Sequence, residues 1–407
     1  MRKLLIILFA AMGVAACSGS SASGGHEAPE LLHAVPSDAI AVGTFSRCDK
    51  ALESMLDSTS ALRSFDYGKL SHSRAAIALC DVGKVVPLLV LETGRAAADT
   101  SSHAASVISL ADSLDLHPAY ITLGRHNALL LSPSLTVVEV ALRHIGSGTS
   151  VLDAPDFDSV LTAVGNSDAV VWRNRGASKL FSGSVPGIPR ARLIPFLRDA
   201  SEWTAVCGDG IHFIQPASGK YYCNFIDGLP EGSSKFAREC PEGAQLIVDY
   251  PLASVSEWRE AHEKWLDARV ELDKYRDRHK ALAKRAGKSP AEWEKAVGVR
   301  EAVCIAGEGW TVNMVRAAKS VRQDGVQPNE YAGFVRALYG EPFSATDSCV
   351  LRRGSWIISG ERSVLDTLRF GSARLAGWPS SARVVVSTPQ LRITCTKDNN
   401  IIWHSNR

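Results

Sequence analysis

Histidines, cysteines, serines and acidic residues that could do chemistry are plentiful in this chain, so their spacing decides what they could do. Gly287-Lys288-Ser289 resembles the end of a phosphate-binding loop, but the glycine required five residues upstream is Leu282, and helix-forming residues precede it rather than a strand and a glycine-rich turn. His262-Glu263 opens a zinc-protease pattern that fails at Leu266, where the second histidine would stand. There is no Gly-x-Ser-x-Gly elbow. Gly307-Glu308-Gly309 and Gly208-Asp209-Gly210 are turn sequences between apolar runs rather than dinucleotide fingerprints. His103, His117 and His126 are too widely spaced to form a local ligand set, and Asp209 and Asn399 suit turn geometry. The 43 acidic residues offer many carboxylate pairs and no reason to choose one. The sequence therefore points to no catalytic residues, no metal ligands and no cofactor.

Nine cysteines remain to be placed. None pairs with another as Cys-x-x-Cys, which removes the thioredoxin-like and paired-ligand zinc readings. Cys17 is set apart from the rest. It follows Met1-Arg2-Lys3, an apolar stretch from Leu4 and the small residues Val14-Ala15-Ala16. A basic start, a short apolar core and a small-residue end make an export signal, too short to be a permanent membrane span of ~20 residues. The other eight, Cys48, Cys80, Cys207, Cys223, Cys240, Cys304, Cys349 and Cys395, form an even set whose pairing the sequence leaves open. Several lie inside apolar strand patterns, where a thiol packs as a small hydrophobe.

Val14-Ala15-Ala16-Cys17 resembles the bacterial lipobox. The resemblance implies cleavage before Cys17, lipidation of its sulfur, acylation of its new amino group and anchoring in the bilayer through Cys17 alone. Residues 1–16 are then the signal, and 17–30, rich in Ser and Gly, a flexible tether. The tether carries no acidic residue directly after the cysteine, which by the same resemblance suits the outer membrane, facing the periplasm. A net charge of +2 on 407 residues offers no field for nucleic acid.

The elements that would position a site follow from the rest of the chain. At 45% hydrophobic and 22% charged it is globular. Two stretches echo one another in the same order. Pro36 to Val42 matches Pro241 to Val248, and Arg74 to Cys80 matches Arg300 to Ala306. Arg125 to Leu130 then matches Arg353 to Ile358, each followed by a helix-like segment, and Ser167 to Val171 matches Ser381 to Val385. A hairpin closes each half, Thr204 to Phe213 and Ile393 to Ile402. The expected fold is α+β: two tandem repeated units, 31–228 and 229–407, each a mixed or antiparallel sheet with helices on one face.

A long helical hairpin is expected within the second unit at 254–298. Ser254 and Glu257 form a capping box, and Trp258, Ala261, Trp265, Ala268, Leu272, Tyr275, His279 and Leu282 make a heptad seam that Gly287 ends. The first arm would be ~45 Å long. Ser289-Pro290 starts a short return helix. Because that helix cannot cover the whole seam, Trp258, Trp265 and Tyr275 become candidate partner-binding residues for an envelope protein.

The mature chain as a whole resembles uncharacterised periplasmic lipoproteins of the Bacteroides type, on its lipobox, its Ser/Gly tether and the Pro36-Ser37-Asp38-Ala39 strand entry. The resemblance implies an envelope location and a repeated α+β body and supplies no catalytic residues. The leading expectation is a non-catalytic binding or scaffolding lipoprotein. A glycan or peptide hydrolase with residues drawn from distant positions, or a carrier of an apolar ligand, are the alternatives.

Overall fold

The computed structural model describes residues 30–95, 115–176, 198–208, 210–214, 218–320, 325–371, 375, 377–388, 391–396 and 401–405. The signal sequence, Cys17, the tether up to residue 29, His103, Asp209 and Asn399 lie outside them. Contacts divide the chain into two compact units, the first holding residues up to 184 and 201–215, the second 185–200 and 216–407. The division therefore falls earlier than residue 228.

In the first unit the strands are β1 (Ala41–Phe45), β2 (Ala75–Asp81), β3 (Val85–Arg95), β4 (His117–Leu123), β5 (His126–Ser132), β6 (Ala169–Arg173), β7 (Trp203–Cys207) and β8 (Gly210–Ile214). They pair antiparallel throughout, in the order β4-β5-β3-β2-β1-β6-β7-β8. Helices α1 (Cys48–Met55) and α2 (Ala61–Ser64) cover one face, over Ile77, Leu89 and Leu129. Helices α3 (Leu135–Ser147) and α4 (Phe157–Val164) cover the other, over Ala78, Leu88 and Leu130. Both faces are thus buried, a correction to the expectation of helices on one face. The reason is visible in runs such as Ala75-Ala76-Ile77-Ala78-Leu79-Cys80, which are apolar at every position instead of alternating and so cannot present a face to water.

The second unit adds β9 (Gly232–Ser233), β10 (Leu246–Pro251), β11 (Glu301–Gly307), β12 (Trp310–Arg316), β13 (Gln327–Pro328), β14 (Cys349–Arg353), β15 (Trp356–Gly360), β16 (Ser381–Ala382), β17 (Val384–Ser387), β18 (Leu391–Cys395) and β19 (Ile401–Ser405). Its helices are α5 (Tyr222–Asp227), α6 (Val255–Ala268), α7 (Leu272–Ala286), α8 (Pro290–Val297), α9 (Phe334–Tyr339) and α10 (Arg362–Thr367). The main sheet runs β13-β14-β15-β12-β11-β10-β17-β18-β19, with β9 and β16 paired separately. Apart from the added edge strand β13, this order is that of the first unit position by position, and the pairings are again antiparallel. Each pair of echoing segments falls on corresponding elements: β2 with β11, β5 with β15, α3 with α10, and the hairpin β7-β8 with β18-β19.

Between β10 and β11, where the first unit has α1 and α2, lie α6, α7 and α8. The first arm is two helices rather than one. Arg269 caps α6, the Val270 N–H donates to the Asp267 carbonyl at 2.9 Å, and the Glu271 N–H to the Leu266 carbonyl at 2.8 Å. This is the bonding of a Schellman cap, with Val270 at φ +60° where glycine usually stands. Only half of the expected capping box forms at the start of α6, where Ser254 Oγ accepts from the Glu257 N–H at 3.3 Å. At α8 both halves form, between Ser289 and Glu292. Gly287, at φ +66°, ends α7 as expected.

Candidate functional site

The aromatic residues of the seam turn inward, onto the second unit's own helices. Trp258 is 4% exposed and meets Phe225 edge-on at 5.3 Å and Tyr339 at 5.0 Å. Trp265 is half-buried, stacks on Phe225 at 5.6 Å and donates its indole N–H to the Lys220 carbonyl at 3.2 Å. Tyr275 is 7% exposed. The covering that the return helix could not supply comes from α5 and α9. This packing is why residues 222–227 belong to the second unit.

Where α6, α7 and α9 meet they leave a cleft of about 370 Å³, within the range that holds a small molecule. Tyr222, Trp265 and Tyr275 give it aromatic walls. Five cations reach it: Arg198, Arg269, Lys274, Arg278 and Arg336. Three of them are held by neighbours. Asp199 takes Arg198 at 2.9 Å and Arg269 at 3.3 Å, Glu271 takes Arg269 at 3.2 Å, and Glu341 pairs with Arg336, which also donates to the Phe343 carbonyl at 2.7 Å. Arg269 in turn lies over the Trp265 ring, 4.8 Å from its centroid. Lys274 and Arg278, one turn apart on α7, are exposed and have no ion-pair partner among the described residues.

His262 lies against this cleft from within the aromatic cluster. It is 3% exposed, stacks on Trp265 at 5.7 Å and meets Tyr275 edge-on at 5.5 Å. Burial pushes its imidazole down to about 3, with His279 adding to the effect, so the ring is neutral at physiological pH. Its Nδ1 is buried without a hydrogen-bond partner. Gly340 (φ +69°) borders the ring, and a Cβ there would stand 3.5 Å from His262 Nε2.

Of the three aromatic residues expected to meet a partner, Trp265 and Tyr275 line this cleft and Trp258 does not, and nothing in the sequence pointed to the cleft's polar residues. His262 stood out only as the start of a failed zinc pattern. Arg198, Arg269, Arg336 and Glu341 come together only through the fold.

Two other clusters of titratable groups are built differently. In the first unit His126 uses both nitrogens on carboxylates, with Nδ1 2.6 Å from Glu92 and Nε2 at ion-pair distance, 2.9 Å, from Glu30, though poorly aligned for a hydrogen bond. Arg74, 2.7 Å from Glu92, holds that carboxyl below the usual range, with His126 contributing. In the second unit Asp249 and Glu301 are fully buried around Ser234. Among the described residues no group of three or more His, Cys, Asp or Glu side chains is arranged to hold a metal ion, and no helix is long and apolar enough to cross a membrane. Cys48, Cys80, Cys240, Cys349 and Cys395 are unpaired thiols.

Comparison with known proteins gives no match to a family model, a curated protein or a solved structure.

Proposed function

We propose that this chain is a lipoprotein of the bacterial envelope, anchored through Cys17 and facing the periplasm, that acts by binding, with the second unit's cleft as its recognition surface. The helices between β10 and β11 are, in this reading, an inserted recognition element on a framework shared by the two units. The observation that carries it is the cleft itself: aromatic walls, three cations locked by acidic neighbours and two more, Lys274 and Arg278, left without counter-ions. Its lining includes no serine, threonine or cysteine to act as nucleophile, and its histidine is too weak a base for proton transfer near neutral pH. Of the expected partner-binding residues, Trp265 and Tyr275 enter as walls of the site and Trp258 is buried behind His262, while the exposed contacts come from α7.

Two measurements test the reading. Changing Cys17 to Ala should move the protein from the membrane to the soluble fraction of cells; unchanged fractionation would remove the anchor. A photo-crosslinking residue at Lys274 or Arg278, followed by mass spectrometry of the purified chain, should give a discrete adduct. Absence of any adduct from both positions would count against binding at the cleft.

A further inference from the structure

We infer that the outer side of α7 rests on the anionic headgroups of the bilayer that Cys17 enters, with Lys274, Arg278 and Arg285 as the contacting stripe. This rests on the reading of Cys17 as an anchor and is independent of what the cleft binds.

The charge of the chain is segregated. It holds 45 Lys and Arg against 43 Asp and Glu, and two of the cations, Arg2 and Lys3, belong to the expected signal, so the remainder balances to zero. Within that neutral remainder α7 alone carries Lys274, Arg276, Arg278, Lys280, Lys284 and Arg285 against Asp273 and Asp277. Exposed ion pairs use up part of the excess: Lys280 meets Asp277 at 3.3 Å and Arg276 meets Glu263 at 3.8 Å. Lys274, Arg278 and Lys284 are exposed with no ion-pair partner among the described residues, and Arg285, also exposed, donates to the Ala332 carbonyl.

Packing fixes which side of the helix faces out. Tyr275 is buried, His279 Nε2 lies 3.1 Å from the Ala337 carbonyl of α9, and Leu282 packs against the second unit's core. With those positions turned inward, Lys274, Arg278 and Arg285 follow one another at spacings of four and seven along one flank, with exposed Ala281 between them. Asp273 and Asp277 lie roughly a quarter turn away. A row of like charges ~16 Å long suits an extended anionic surface better than a single small anion.

The anchor decides which anionic surface is within reach. Residues 17–29 can span at most about 45 Å, so a body held by Cys17 stays close to the headgroups. Their negative surface potential attracts Lys and Arg within about 8 Å at physiological ionic strength. Each cation that enters this layer strengthens partition roughly fivefold. Three are too few to hold a free chain on the membrane in cells, and enough to orient one already tethered.

The test sediments the purified chain from residue 17, with Cys17→Ala so that no acyl group takes part, with two kinds of vesicle. One contains about 30% phosphatidylglycerol in phosphatidylcholine and the other phosphatidylcholine alone. At about 50 mM salt, binding to the anionic vesicles should exceed binding to the neutral ones at least tenfold, and it should fall at least tenfold at about 500 mM. Lys274→Gln/Arg278→Gln/Arg285→Gln should bind the anionic vesicles at least tenfold more weakly. Lys69→Gln/Lys84→Gln/Arg143→Gln, which removes the same charge from exposed positions of the first unit, should bind as the parent does. If loss of the Arg285 contact disturbs folding, as read by urea unfolding, Lys274→Gln/Arg278→Gln alone should still weaken binding at least fivefold. No binding to the anionic vesicles, equal binding to both kinds, or equal losses in the two triple variants would overturn the inference. Binding to polyglutamate and to neither vesicle would overturn it too, and would make a soluble acidic macromolecule the partner. If Cys17→Ala releases the chain from membranes in cells while the anionic vesicles fail to bind it, this inference falls and the anchor stands; if fractionation is unchanged, both fall.

Discussion

Asp249 on β10 and Glu301 on β11 face one another across a single hydroxyl, with Ser234 Oγ 2.7 Å from Asp249 Oδ2 and 3.0 Å from Glu301 Oε1. Both side chains are fully buried. Glu301 also accepts the Lys235 and Phe236 N–H groups at 3.0 and 3.1 Å and faces Arg316 at 2.7 Å, the surroundings of a carboxylate. Asp249 has no cation, and burial beside Glu301 raises it well above the usual carboxyl range, so it holds the proton. The proton runs from Asp249 to Ser234 Oγ, which also accepts the Trp378 indole N–H at 2.9 Å and donates onward to Glu301.

Because Asp249 is raised in the folded state, the stability it contributes is present below its unfolded value near 3.8 and is lost as pH rises toward the folded value. Asp249→Asn removes that slope. The variant should match the parent at pH 4 and gain on it as pH rises, read by urea unfolding across pH 4–8. Glu301→Gln strands Arg316 and should cost about 3 kcal/mol at pH 7. A larger loss from Asp249→Asn than from Glu301→Gln would reverse the assignment of the proton.

Val270 is 88% exposed and takes a left-handed backbone, a conformation that costs a β-branched residue roughly 1–2 kcal/mol. Val270→Gly loses no packing and relieves the strain, offset in part by the freedom glycine adds to the unfolded chain. Net stabilisation of about 0.5–1 kcal/mol is expected in urea unfolding. Destabilisation would mean that α6 and α7 are not broken at this position.

Burial pushes the thiols of Cys48, Cys80, Cys223, Cys240 and Cys395 up to about 12, so at pH 8 almost none is thiolate. In a Cys17→Ala background Cys48 and Cys80, the two of these that are fully buried, should alkylate only as fast as the protein unfolds, and completely in denaturant. Rapid labelling of either in the native protein, located by peptide mapping, would contradict the packing described.

How legible this was in the sequence depends on the length scale. The strand order could be read because each corresponding strand keeps its entry turn, its glycine and its apolar run, all local signals. The burial of both faces was equally present, in Ala75 to Cys80 and in Pro87 to Leu91, since strands apolar at consecutive positions have no wet side. The break at Val270 was not, because the usual glycine signal is replaced by a residue that normally avoids that conformation. Its consequence spreads through the seam. A helix of only 14 residues need not supercoil, so its 3.6-residue period drifts off the heptad and buries His262 and Leu266 after Trp258, in place of a strict three-and-four alternation. The cleft lay furthest from view, since residues 198, 262, 278 and 336 share no pattern and meet only when α6, α7 and α9 pack.

The base of α6 to α8 has a property of its own. The Leu252 N–H donates to the Arg300 carbonyl at 3.0 Å, so the segment between them leaves and re-enters the sheet at hydrogen-bonded neighbours. A segment closed in this way can lengthen, shorten or change its side chains without shifting the register of β10 on β11. Helices α6 to α8 can therefore diverge rapidly while the strands beneath stay as they are, and the same pair of anchor points offers a place to graft a different element onto this framework.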